Sequence, residues 1–91
     1  MPEIHAIVGS TVGLHARPAA LFAAAAAAAP VPISICKPGG EPVDARSILS
    51  VLTLDARCGD ELILTAEGPG AEEALASVAS VLETNHDQAE A

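Results

Sequence analysis

Gly13-Leu14-His15-Ala16-Arg17-Pro18-Ala19-Ala20 reads as a turn that hands a histidine to the start of a helix. Glycine accepts backbone angles that other residues resist. Pro18 fits a first helical turn, where its missing N–H costs nothing, and it disfavours helical geometry at Arg17. The spacing therefore predicts a helix that opens near residues 16–18, with His15 just ahead of it. The backbone N–H groups of Ala16 and Arg17 then face out of the helix end. With the positive end of the helix dipole they form an anion site. Arg17 adds a planar donor fork suited to phosphate oxygens. A neutral imidazole beside such a site is placed to take up a phosphoryl group, whose oxygens the N–H groups and Arg17 then hold.

Outward from this stretch the chain alternates between two periods. In residues 3–9, Ile4, Ala6 and Val8 face one way and Glu3, His5 and Ile7 the other, which predicts a half-buried strand with His5 on its polar side. Residues 9–13 form the loop to His15. A helix is expected from about Arg17 to Ala28: alanine is the best helix former, and Pro30 biases Ala29 away from helix. Its small side chains are expected to let it lie close to the sheet. Of its two bulky residues, Leu21 and Phe22, one should point to the core and the other be left for a partner.

Residues 31–36 predict a second strand, with Val31, Ile33 and Ile35 on one face and Pro32 at its end. Pro38-Gly39-Gly40 is a turn, Glu41–Val43 a short edge strand, and Ser47 the N-cap of a short helix reaching Thr53. Residues 60–67 predict a fourth strand. It is apolar at Leu62, Leu64 and Ala66 and again at Ile63, as suits a central position. The final helix runs from Ala71 to Glu83, with Ala71, Leu75, Val78 and Leu82 as its core stripe and Glu72 and Glu73 suiting its dipole. The polar tail 85–91 is expected to fray.

The 91 residues make a single domain, with an ordered core of about 3–84. Apolar residues are 51% of the chain and aromatics 1%, so the core must be built of Ala, Val, Ile and Leu. Four Lys and Arg against 12 Asp and Glu give a net charge of −8, which repels nucleic acid and anionic lipid. The four cations are Arg17 and Arg46, each beside a candidate phosphate acceptor, together with Lys37, read as a solubility residue, and Arg57. No basic region followed by an apolar run marks a signal peptide, and the apolar stretch 19–29 is too short to span a bilayer. Cys36 and Cys58 give neither a disulfide framework nor a metal-ligand pattern. Their strands could bring the thiols close, yet a disulfide is not expected in a reducing cytoplasm. No cofactor and no metal site are expected.

Residues 13–20 resemble the active-site segment of the HPr family, the histidine phosphocarriers of the bacterial phosphoenolpyruvate:sugar phosphotransferase system. Arg46-Ser47-Ile48-Leu49 followed by Val51-Leu52 resembles the family's second signature, and residues 59–68 are similar to its last strand. The pattern of elements alone leaves ferredoxin-like relatives open. The resemblance implies an α+β open-faced sandwich: a four-stranded antiparallel sheet in order 1-4-2-3, covered on one face by three helices. It further implies that the His15 loop and the start of the second helix come together.

The resemblance also implies a cytoplasmic, monomeric carrier that receives a phosphoryl group from phospho-enzyme I at Nδ1 of His15. The carrier passes the group to enzyme IIA domains of sugar permeases. His15 and Arg17 are then the catalytic pair, with Ala16 and Arg17 binding phosphate. Ala20, Leu21, Leu49 and Leu52 would meet partners, while Ile48 and Val51 read as core. Ser47 matches a regulatory serine that a serine kinase/phosphorylase modifies in some members, although an N-cap serine explains itself. Asp55 departs from the family, where glycine is usual. Two rival readings are a regulatory protein of the same fold, acting through Ser47 phosphorylation on transcription factors or metabolic enzymes, and a metal- or ligand-binding ferredoxin-like module. The retained His15 and Arg17 argue against the first, and the lack of a ligand cluster against the second.

Overall fold

The computed structural model describes residues 2–9, 13–14 and 16–84, with Ala16 given by its backbone. His15 and the tail 85–91 lie outside the described residues. The elements are β1 (Glu3–Ile7), α1 (Ala16–Ala27), β2 (Ile33–Cys36), β3 (Val43–Asp44), α2 (Ile48–Thr53), β4 (Glu61–Ala66) and α3 (Ala71–Glu83). The sheet is antiparallel throughout, in order β1-β4-β2-β3. The expected open-faced α+β sandwich is therefore what the chain forms.

Register explains both faces. Leu64 lies between Ile4 of β1 and Ile35 of β2, and these point to the helices. One residue along, Ile63 lies between His5 and Cys36 on the open face. β4 is thus the central strand its doubly apolar pattern predicted, with Leu62 and Leu64 fully buried. α3 lies along β1 and β4 and sends Ala71, Leu75, Val78 and Leu82 into the core, as the stripe predicted, joined by Ala74 and Ala79. Phe22 is fully buried while Leu21 stays exposed, so α1 divides its two bulky residues as expected.

Three expectations are corrected. α1 packs chiefly against α3 and α2 rather than lying close on the sheet. Its Ala19, Ala23 and Ala26 are buried in the core together with Phe22, the one bulky side chain it sends inward. Ile48, read as core, is 45% exposed, because it opens the six-residue α2 and only Val51 of that helix turns fully inward. The third strand is Val43–Asp44 rather than Glu41–Val43. Its neighbour Pro42 cannot donate to a ladder, so pairing begins one residue later.

The far end of β1 is held by α3. The Gly9 N–H donates to Leu82 O at 3.2 Å and the Ile7 N–H to a Glu83 carboxylate oxygen at 3.3 Å. A Cβ on Gly9 would lie 1.8 Å from Glu83 O, so only glycine permits this approach. The loop that leads to residue 15 therefore departs from a fixed point.

Candidate functional site

The loop also arrives at a fixed point. Gly13 has φ +78°, in the left-handed region. A Cβ there would lie 2.6 Å from Ala56 O and 3.0 Å from Arg57 Cα. The Leu14 N–H donates to Ala56 O at 2.9 Å, and the Leu14 side chain is buried. The segment leaving α2 is thus the seat of residues 13–14. Helix α1 then opens at Ala16, within the 16–18 window the pattern predicted, with no acidic residue in its first turn. Its first N–H groups have no partner within the helix, and Pro18 loses nothing by lacking one. Arg17 is exposed on this first turn, while Pro18 is buried. A helix start without acidic side chains, reached through a glycine turn, is suited to hold an anion.

α2 begins differently. Ser47 is its N-cap, and its hydroxyl accepts the Ser50 N–H at 3.2 Å. Arg46 just ahead is tied to Asp44 by three contacts. The Arg46 backbone N–H reaches Oδ1 at 2.9 Å, Nε reaches Oδ1 at 3.2 Å, and Nη2 reaches Oδ2 at 3.2 Å. Hydrogen bonding from Arg46 lowers the Asp44 pKa, and the same bond raises that of Arg46. Among the residues expected to meet partners, Ala20 and Leu21 are exposed and Leu49 is 77% exposed. Leu52 is half-buried and packs against the core.

The exit of α2 holds what sequence reasoning missed. Asp55 has φ +50°, the left-handed turn in which helices commonly end and which glycine fills without strain. Lys37 donates from Nζ to Asp55 O at 3.3 Å, so it serves a helix end and not solubility alone. Arg57 follows, its backbone against Gly13. The signal available in the sequence was the repeated tripeptide Asp44-Ala45-Arg46 and Asp55-Ala56-Arg57, which flanks α2 on both sides. Both alanines are fully buried, so each tripeptide pins its end of the helix.

Away from this end, Cys36 is half-buried and Cys58 exposed, and both are free thiols. On the open face of the sheet His5 lies between two carboxylates. Nε2 meets Glu3 at 2.8 Å, and Nδ1 meets Glu61 on the neighbouring strand. Bonding to Glu3 first, and then to Glu61, raises the His5 pKa above 6.5. Among the described residues no group of three or more His, Cys, Asp and Glu is placed to hold a metal ion.

The sequence matches the PTS-HPr family, described as the "PTS HPr component phosphorylation site", over residues 2–84. The chain belongs to the HPr family. The phosphocarrier protein HPr of Streptomyces coelicolor is 46% identical over 82 residues, covering 90% of this chain and 88% of that protein. HPr of Mycoplasma genitalium is 33% identical over 85 residues, covering 93% and 97%. Among solved structures, HPr-C-His from Thermoanaerobacter tengcongensis superposes with a TM-score of 0.83 at 35% identity, covering 91% of this chain and 92% of that one. HPr from Bacillus anthracis superposes with a TM-score of 0.82 at 37% identity, covering 89% and 95%. The HPr match spans both helix starts described above. No helix among the described residues is long and apolar enough to cross a membrane.

Proposed function

We propose that this chain is a phosphocarrier of the phosphotransferase system that carries its phosphoryl group on His15. The observation that carries the reading is the family match through residues 2–84, which takes in His15 and the helix start immediately after it. His15 in its neutral form gives the lone pair of one ring nitrogen to phosphorus. The bond from phosphorus to the histidine nitrogen of phospho-enzyme I breaks, and its electron pair stays with that nitrogen. Each ring keeps the N–H it began with. The opening N–H groups of α1, Ala16 and Arg17 among them, and the Arg17 guanidinium receive the phosphoryl oxygens. The same exchange then runs forward to an enzyme IIA domain. The protein is its own covalent intermediate and not a turnover enzyme.

Partners meet the exposed apolar surface of Leu21 and Leu49, with Ala20 beside it and Leu52 supporting it from below. The carrier works as a cytoplasmic monomer of one domain over residues 1–91. Ser47 fills the N-cap position of α2, and that role accounts for a serine there without modification. The test is incubation with phosphoenolpyruvate and enzyme I. The wild type gains one acid-labile phosphate by mass and His15→Ala gains none. Phosphate on the His15→Ala protein would overturn the reading.

A further inference from the structure

The two Asp-Ala-Arg tripeptides point to a second cation at the phosphoryl site. We propose that Arg57 is a phosphate-contacting guanidinium, resting on Asp55 in the unphosphorylated protein and moving to the phosphoryl oxygens during transfer; this rests on the reading of His15 above. Arg57 Cα lies 3.0 Å from where a Gly13 Cβ would stand, and the Leu14 N–H is bonded to the preceding residue's carbonyl. Leu14 stands two residues ahead of the α1 start at Ala16, so the Arg57 backbone is seated beside the chain that enters this helix. The long arginine side chain is anchored in the neighbourhood where the phosphoryl group is received.

The Arg57 backbone is rigid and its side chain is not. The Arg57 N–H donates to Asp60 Oδ2 at 2.9 Å, and the Asp60 N–H returns to Arg57 O at 2.9 Å. The guanidinium meets Asp55 at 3.6 Å through one nitrogen, between side chains 78% and 63% exposed. Exposed pairs of this kind contribute little and exchange readily. Arg46 differs: three contacts hold it to Asp44, and its backbone N–H is one of them. A phosphoryl group carries up to about two negative charges and three acceptor oxygens, so it outcompetes a single exposed carboxylate for a loose guanidinium. On a chain of net charge −8 that cation also offsets the repulsion an incoming phosphoryl group meets.

The experiment measures phosphoryl uptake from enzyme I and phosphoenolpyruvate by full-length wild type, Arg57→Gln, Arg57→Lys, Asp55→Asn and the Asp55→Asn/Arg57→Gln double variant, at low and high salt. Arg57→Gln is expected to lower kcat/KM about three- to tenfold at low salt, with the loss shrinking as salt screens the charge. Arg57→Lys recovers much of the loss, Asp55→Asn is at least as fast as wild type, and thermal midpoints of the Arg57 variants stay with wild type. An Arg57→Gln rate equal to wild type at low salt overturns the proposal. So does full recovery in the double variant, which would reduce Arg57 to a mask for the Asp55 carboxylate. If wild type takes up no acid-labile phosphate, or His15→Ala takes it up equally, the reading of His15 fails as well. Uptake at His15 with an indifferent Arg57→Gln removes Arg57 alone.

Discussion

Asp44-Ala45-Arg46 and Asp55-Ala56-Arg57 have the same three residues in the same order, yet they fold to different ends. The first leads into α2. There Asp44 accepts from the backbone and the guanidinium of Arg46, and Ser47 closes the helix start. The second leaves α2. There Asp55 takes a left-handed turn, and the Arg57 backbone N–H goes forward to Asp60. One tripeptide is satisfied by itself, while the other is a seat for residues 13–14 with its cation loosely held. A local sequence thus specifies which groups are available, and the conformation of a single residue, here Asp55, decides which of them meet.

The largest effect should come from breaking the seat. Gly13→Ala places a methyl 2.6 Å from Ala56 O at φ +78°, so denaturant unfolding should report a loss of about 2–4 kcal/mol. A loss below about 1 kcal/mol would mean that the exit of α2 yields and is no seat. Ser47→Ala removes the cap at the other end and should cost about 1 kcal/mol by the same measurement. The aspartates should then differ in sign. Asp55→Gly relieves a left-handed aspartate and should raise stability by about 0.5–1 kcal/mol. Asp44→Gly, which loses the contacts to Arg46, should lower the thermal midpoint. Equal signs would erase the contrast between the two tripeptides.

The smallest effect concerns His5, a third tied cation. Its folded pKa lies above 6.5, raised by Glu3 and then Glu61. Its contribution is therefore complete below pH 6.5 and lost as pH rises through the raised value. The thermal midpoint of wild type should exceed that of His5→Gln at acid pH, and the gap should close as pH rises. A gap independent of pH would show that packing, not charge, holds the cluster.

Much of this was legible before any coordinates. The alternation of residues 3–8 and the stripe of Ala71, Leu75, Val78 and Leu82 gave the core faces, because burial follows a period set by the backbone. Ser47 read as an N-cap because its chemistry is local. Where a short element lies between surfaces, the reading failed. Ile48, expected in the core, is exposed because six residues are too few for periodicity to fix which side turns inward. The place of Arg57 is not legible in the sequence because its backbone meets Gly13, more than 40 residues away in the chain.

The sequence by itself determined the alternation of strand and helix, the aliphatic core with one aromatic, and the glycine turn ahead of α1, since each rests on spacing or on a residue's own stereochemistry. Only the tertiary structure decided that the exit of α2 seats residues 13–14, and that of two identical tripeptides one ties its arginine by three contacts while the other holds its own by an exposed 3.6 Å pair. Those outcomes depend on contacts between distant segments, which local chemistry permits but does not choose.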